Sequence, residues 1–375
     1  MTIIFIGVLG INCKPLLEYM AKNKNYEVKI VNIGNGSYEW GNNKGIKQIN
    51  VVKEGISKIE KKVRKGRGRW FKKAAYSLII EGSVIDAVKK SVKESTPDLI
   101  FTSWGRTPLP EMRYIKREFS DIPFVHDFRT YPVSRYKTTE YIENLINKEV
   151  IENMDGMVFT SETMKKYIEN RFENKTKKAE YFSEYIPEKM FFRKNSIDLD
   201  IRSPNIIFLG NRKRDLSDIF RKVLKKGIDL YACNKVIDAC SSIDTHRNIH
   251  TFSEFSTHDV ESGKFSNFIS NFDASVLVYP SSYSSRFRNT HPERLLWSIA
   301  GGLPILLPES KLKASEQYVL SNGIGITFKN IDGMSRKVKD GKLIDSVREN
   351  LRGNIDRFKL ENNFSRLDGL FKSVL

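Results

Sequence analysis

One pattern restricts this chain more than any other, and it occurs twice: a short buried-type strand, a glycine turn, then a helical repeat. Ile3–Val8 is apolar throughout, is followed by Gly10, and leads into a helical pattern from Lys14 to Ala21. Asn205–Leu209 ends in Gly210 and leads to a helix near Ser217–Leu224. After the first start come further apolar runs at Glu27–Ile33, Asp98–Thr102, Phe124–His126 and Gly156–Thr160, with helical stretches at Ile85–Val92 and Tyr141–Met154. After the second come Ile228–Ala232, Ala274–Tyr279, Pro304–Leu307 and Gly323–Phe328, with a helix at Glu293–Ala300. Strands with no polar face, alternating with helices, belong to parallel sheets covered on both sides. The pattern therefore predicts two α/β halves.

At 375 residues the chain is too long for one ordinary core, which agrees with that count. Lys189–Pro204 is polar and irregular and reads as the linker. The expected layout is an N-terminal domain over 1–190, a second domain over 200–345, and helix over 346–375. No short-period repeat or low-complexity tract interrupts it. Hydrophobic residues make up 40%, enough for packed cores. The longest charge-free stretch, Leu295–Pro308, contains Gly301, Gly302 and Pro304 and is too short to span a bilayer. Met1–Cys13 has no leading positive charge and reads as a strand, not a signal peptide. Cys13, Cys233 and Cys240 have the spacing of neither a disulfide framework nor a zinc site, and a reducing cytoplasm is the expected compartment.

The formal charge is +18, a field that attracts phosphates of nucleotides, lipid head groups or nucleic acid. Nearly half of it is local. Lys58–Lys73 (KIEKKVRKGRGRWFKK) carries nine basic residues and one acidic one around Trp70 and Phe71. A solvated loop, an anionic membrane surface and a polyanionic acceptor all remain open for it. No helix-turn-helix, RNP-like or zinc pattern supports nucleic acid.

Four segments place polar residues where parallel strands end, the usual ligand edge of an open α/β sheet. The turn GVLGINCK, with Gly10, starts a helix whose free amides point above the sheet. PFVHDFRTYP carries His126, Asp127 and Arg129 directly after a strand, where an Asp-capped turn is the plain alternative. FLGNRKRD brings Gly210, Arg212 and Lys213 to a helix start, where cations oppose the helix dipole unless an anion is present. Asp273–Leu307 runs strand, Ser- and Arg-bearing loop, Pro292, helix, Gly301–Gly302, strand. Its loop delivers Arg288, Asn289, Thr290, Glu293 and Arg294 to another helix N-terminus, with Pro292 suited to the first helical position.

These segments together resemble retaining GT-B glycosyltransferases, in particular the "glycosyl transferases group one" family. Asp98–Ser103, PFVHDF and Met154–Ile168 are similar to its N-domain, Asn205–Phe328 to its donor domain, and Phe358–Leu375 to its terminal helix. The resemblance implies two Rossmann-like domains facing across a cleft, with the C-terminal helix crossing back to the N-domain. It implies transfer of a sugar from a nucleotide diphosphate sugar to a glycan or lipid-linked acceptor, in cell-surface polysaccharide or glycoconjugate synthesis. Gly210, Arg212, Lys213, Arg288, Asn289, Thr290, Glu293 and Arg294 would bind the donor. Gly10, Trp104, Arg106 and His126 would line the acceptor side, with Asp127 and Arg129 catalytic. No metal and no cofactor is implied, since cations and amides would neutralise the diphosphate. No Asp-x-Asp pair stands at a strand end. The expected setting is cytoplasmic, or peripheral on the cytoplasmic membrane face through Lys58–Lys73. Trp297 and Asn289 stand where the family usually has glutamates, one of them its ribose contact. A sugar-nucleotide epimerase of the same fold, using His126 and His291, and a basic nucleic-acid-binding protein are the alternatives.

Overall fold

The computed structural model describes residues 1–7, 9, 13–33, 45–51, 69–104, 110–133, 137–173, 178–193, 204–210, 215–240, 243, 247–279 and 287–375. Two compact units divide them. Unit 1 comprises Met1–Tyr185 and Phe364–Leu375, and unit 2 comprises Ile186–Asn363.

In unit 1 the chain runs β1 (Thr2–Gly7), α1 (Cys13–Asn23), β2 (Glu27–Asn32), β3 (Ile46–Asn50), α2 (Arg69–Glu94), β4 (Leu99–Trp104), α3 (Pro110–Glu118), β5 (Phe124–Phe128), α4 (Lys137–Glu152), β6 (Gly156–Phe159), α5 (Glu162–Glu169) and β7 (Ala179–Tyr181). The strands pair in the order β3-β2-β1-β4-β5-β6-β7, all parallel. Alternation along the strands supplies both faces of the sheet. Ile4, Ile6, Ile100 and Phe124 point into one core with Val84, Val88, Met112, Ile115, Val150 and Ile151 of α2, α3 and α4. Phe5 and Phe101 are also fully buried and pack ring to ring. At Gly7 a Cβ would fall on the Ser103 carbonyl, so only glycine lets β1 approach β4 this closely.

Unit 2 runs β8 (Asn205–Phe208), α6 (Ser217–Leu224), β9 (Asp229–Cys233), α7 (Asn234–Ile237), β10 (Ile249–Phe252), α8 (Thr257–Glu261), α9 (Lys264–Ile269), β11 (Ala274–Val276), α10 (Glu293–Ala300), β12 (Ile305–Pro308), α11 (Lys313–Ser321), β13 (Gly325–Phe328), α12 (Ile331–Lys339) and α13 (Gly341–Gly353). Its parallel strands order as β10-β9-β8-β11-β12-β13. Both sheets thus wind outward from their first strand in both directions. The strand order reverses between β1 and β4 in unit 1 and between β8 and β11 in unit 2. In doubly wound sheets that reversal opens a ligand crevice at the carboxyl ends of the strands.

A last helix, α14 (Leu360–Val374), carries the chain into unit 1. Phe364, Leu367, Leu370 and Phe371 are buried there, and Phe371 meets Phe101 edge to face at 5.1 Å. Each such side chain contributes about 1.5–3 kcal/mol relative to exposure. Tyr26 donates a hydrogen bond to Asp368, fixing the helix beside the start of β2. The segment Lys58–Lys73 lies outside the described residues apart from the backbone opening α2. The middle of the expected linker, 194–203, does so too.

Candidate active site

In unit 1 the chemistry gathers at the carboxyl ends of β4 and β5. Asp127 is fully buried. Its Oδ2 accepts from Ser103 Oγ at 2.7 Å and from Arg129 Nε at 2.5 Å, and its Oδ1 from the Tyr185 hydroxyl at 3.1 Å. The Arg129 guanidinium lies 3.3 Å over the Tyr185 ring, with Nη2 3.8 Å from Cys13 Sγ. Burial opposes the Arg129 charge, but Asp127 beside it more than offsets this, so its pKa rises above the ordinary arginine value. Burial likewise pushes the Tyr185 phenol well up, keeping its proton available to Asp127. The Asp127 carboxylate is therefore engaged by three donors, and it reaches further groups through Arg129.

His126 departs from the expected acceptor role. Successive strand residues face opposite ways, so His126 points away from Asp127 into the core. It is 1% exposed, packed edge-on against Phe128, with Nδ1 2.5 Å from Thr102 Oγ1. Burial pushes its pKa down to about 3, and does the same to His291 in unit 2. Both imidazoles are neutral in the fold but gain protons below about 6.5 once unfolded. The unfolded state then binds more protons, so stability falls as pH drops from about 6.5 towards 3. At pH 5 each histidine should remove about 2 kcal/mol relative to pH 7. Urea midpoints at the two pH values, with histidine NMR signals that stay flat down to about pH 4, check this. Trp104 ends β4, while Gly10 and Arg106 lie outside the described residues.

In unit 2 a cation stands at the strand-order reversal. Arg294, in the first turn of α10, lies over two rings, 4.6 Å from the centroid of Phe208 at the end of β8 and 4.1 Å from that of Tyr279 after β11. Phe287 stacks on Tyr279 at 4.2 Å. One terminal nitrogen, Nη2, donates to the Val278 carbonyl at 3.0 Å. The other, Nη1, is buried without a hydrogen-bond partner among the described residues. Cation–π contact with two rings restrains the guanidinium, and an unmatched buried donor costs about 1–3 kcal/mol. The helix itself is pinned by Ser298 Oγ, 2.7 Å from Ser275 Oγ on β11. At Gly210 a Cβ would overlap the Phe208 ring, so this glycine makes room for the floor of the stack.

The other expected donor residues collect near the same helix start. Thr290 is buried, Asn289 half-buried, and Arg288 and Glu293 exposed. The Arg288 carbonyl accepts from Ala314 N at 3.0 Å. Pro292 is the residue just before the helix, not its first member. Arg212 and Lys213 lie outside the described residues. Trp297, standing where the resembling family has a glutamate, is buried against Phe265. Among the described residues no group of three or more His, Cys, Asp or Glu could hold a metal ion, and no helix is long and apolar enough to cross a membrane. Ser103, Tyr185, Phe208, Tyr279 and Phe287 were not singled out by the sequence. Only the position of Tyr279 at a strand end hinted at its part.

No protein-family model matches the chain, and no curated protein matches it. Solved structures do. Sucrose-phosphate synthase from Thermosynechococcus elongatus superposes with a TM-score of 0.70 at 11% identity, covering 100% of this chain and 99% of that one. A glycosyltransferase from Rickettsia africae gives 0.65 at 12% identity, covering 100% and 98%. WaaG, a glycosyltransferase involved in lipopolysaccharide biosynthesis, gives 0.60 at 12% identity, covering 94% and 95%. At such identities the likeness is one of fold. This chain has the GT-B fold, two parallel-sheet α/β domains matched over nearly its whole length.

Proposed function

We propose that this protein is a glycosyltransferase that uses a nucleotide diphosphate sugar as donor. The observation that carries this is Arg294, a cation held rigid at the ligand edge of unit 2 with one buried N–H group unmatched. A diphosphate oxygen satisfies that group. Breaking the glycosidic bond builds negative charge on the leaving diphosphate, and a preorganised donor there stabilises the transition state more than the ground state. The positive end of α10 adds to the same field. With cations and amides in this role, transfer is metal-independent, and the leaving phosphate takes the acceptor proton in a retaining reaction. Unit 1 supplies the acceptor side, with Arg129 as the contact and Asp127 as the residue that positions it. The acceptor is a glycan or a lipid-linked glycan, in cell-surface polysaccharide or glycoconjugate synthesis.

The epimerase reading loses support from the two histidines it would need, since burial holds both neutral and unable to exchange a proton near pH 7. A thermal-shift panel of UDP, GDP, CMP and their sugars, followed by a transfer assay with the best binder, tests the proposal. At 100-fold excess over Kd the right nucleotide should add about 2.7 kcal/mol. A flat response across the panel would overturn the reading.

A further inference from the structure

A row of polar residues crosses the carboxyl edge of the first sheet in one register. Asn50 of β3 pairs with Asn32 of β2, Asn32 with Gly7 of β1, Gly7 with Ser103 of β4, and Ser103 with Asp127 of β5. Paired residues of neighbouring parallel strands point the same way, so these five positions share one face of the sheet. One side-chain repeat lower on that face stand Ile30, Phe5, Phe101 and Val125, all buried. The face therefore turns from apolar to hydrogen-bonding within a single repeat. Gly7 leaves a gap in the middle of the row.

The two ends of the row are built alike. At the β5 end, Asp127 Oδ2 accepts from Ser103 Oγ and from Arg129 Nε, which orients the guanidinium. At the β3 end, Asn50 Oδ1 accepts from Asn32 Nδ2 at 3.0 Å and from Gln48 Nε2 at 2.5 Å. Asn32 is fully buried and is itself fixed, its Oδ1 accepting from Leu9 N at 3.3 Å. Two donors on one oxygen give the Asn50 carboxamide a single orientation, with Nδ2 turned away from both. Asn50 is exposed, and its Nδ2 has no partner among the described residues. Buried members of the row thus hold a nitrogen donor at each end.

Charge and length select the ligand. Asp127 and Arg129 offset one another, and no other member of the row is charged. The row offers hydrogen bonds without net charge, which suits a polyhydroxyl compound better than an anion. Four strand spacings separate β3 from β5, a span of about 19 Å. That is longer than one sugar ring.

We propose that Asn50 is a second saccharide contact, so that the acceptor is an oligosaccharide lying along the row from Arg129 to Asn50. Calling this saccharide the acceptor rests on the transferase reading; the binding row itself does not.

The test is binding of the full chain to immobilised linear saccharides, from single sugars to hexasaccharides of hexoses, hexosamines and deoxyhexoses. The tightest binder and its shortened fragments are then titrated. Wild-type affinity should fall as the saccharide is trimmed to one sugar. N50D keeps an oxygen for Asn32 and Gln48 and replaces only the outward donor. It should lose roughly three- to tenfold in affinity for the long saccharide, with unchanged affinity for the single sugar and an unchanged melting temperature. N50A, which adds no charge, should show the same length-dependent loss. Four outcomes overturn the proposal: no saccharide bound, no dependence on length in the wild type, either variant binding the long saccharide as wild type does, or a loss equal for long and single sugars. The nucleotide melting panel reports on the donor side separately. A chain that binds saccharides by length but no nucleotide keeps the row and loses the transferase reading.

Discussion

Arg294→Met should lower kcat/KM for sugar transfer by about 10²–10³-fold, the effect of removing one preorganised donor from a developing oxyanion. The melting temperature of the free protein should stay the same or rise slightly. Methionine keeps an apolar stem against Phe208 and Tyr279, and it removes a buried N–H group that has no partner among the described residues. That opposition of stability and activity is the signature of a group held for a ligand. Arg294→Lys should fall between, since an ammonium keeps the charge but loses the planar stacking and the second donor nitrogen. Steady-state kinetics and calorimetric binding of the nucleoside diphosphate, with thermal melts on the same samples, decide the matter. Normal turnover by the methionine variant, or a large drop in its melting temperature, would assign Arg294 to structure alone.

Asp127→Ala should destabilise unit 1 by about 3–5 kcal/mol, because it leaves the Arg129 charge buried without its partner. For a unit of this size that is a fall of about 6–20 °C in melting temperature. Tyr185 and Ser103 lose their acceptor as well, which pushes the result towards the upper end. Removing both charges together tells positioning from packing. D127N/R129M should recover much of the stability, since no isolated charge remains, while transfer stays impaired because Arg129 is gone. A double variant as unstable as Asp127→Ala would show that the pair is not the unit of stability. Full activity in the double variant would remove Arg129 from the acceptor side.

Central strands were legible because they are buried on both faces and so apolar throughout. Ile3–Val8 and Gly156–Thr160 were each located to within a residue or so of β1 and β6. The strands that escaped notice are β3, β7 and β10, and each is a sheet edge. Ile46–Asn50 reads I-K-Q-I-N and stays partly exposed along its length, so its composition carries little strand signal. Helix α4 hid its orientation for a related reason. Tyr141–Met154 has a helical period, but the period alone does not say which face goes inside. Val133 and Tyr131, the partners of Glu143 and Asn144, settled it against hydrophobicity, burying both and leaving Ile142 and Leu145 exposed. At the ligand edges, sequence reading found Asp127, Arg129 and Arg294 from their place after strands. It missed Tyr185, which is distant in the chain, and the rings around Arg294, whose side chains carry no ligand signal of their own.

The return of α14 to unit 1 sets an order of biosynthesis. Phe364, Leu367 and Phe371 cover a face of the first sheet, yet they are translated only after residues 186–363. At about 5–20 residues per second, that wait is roughly 10–35 s. During it the nascent first half holds Phe5 and Phe101 without their final cover, while the second half, one continuous stretch, needs no residue from beyond 363 to close. The half begun first is therefore the half completed last, and the ribosome-bound chain spends that interval with an apolar sheet face open to chaperones or to a neighbouring chain.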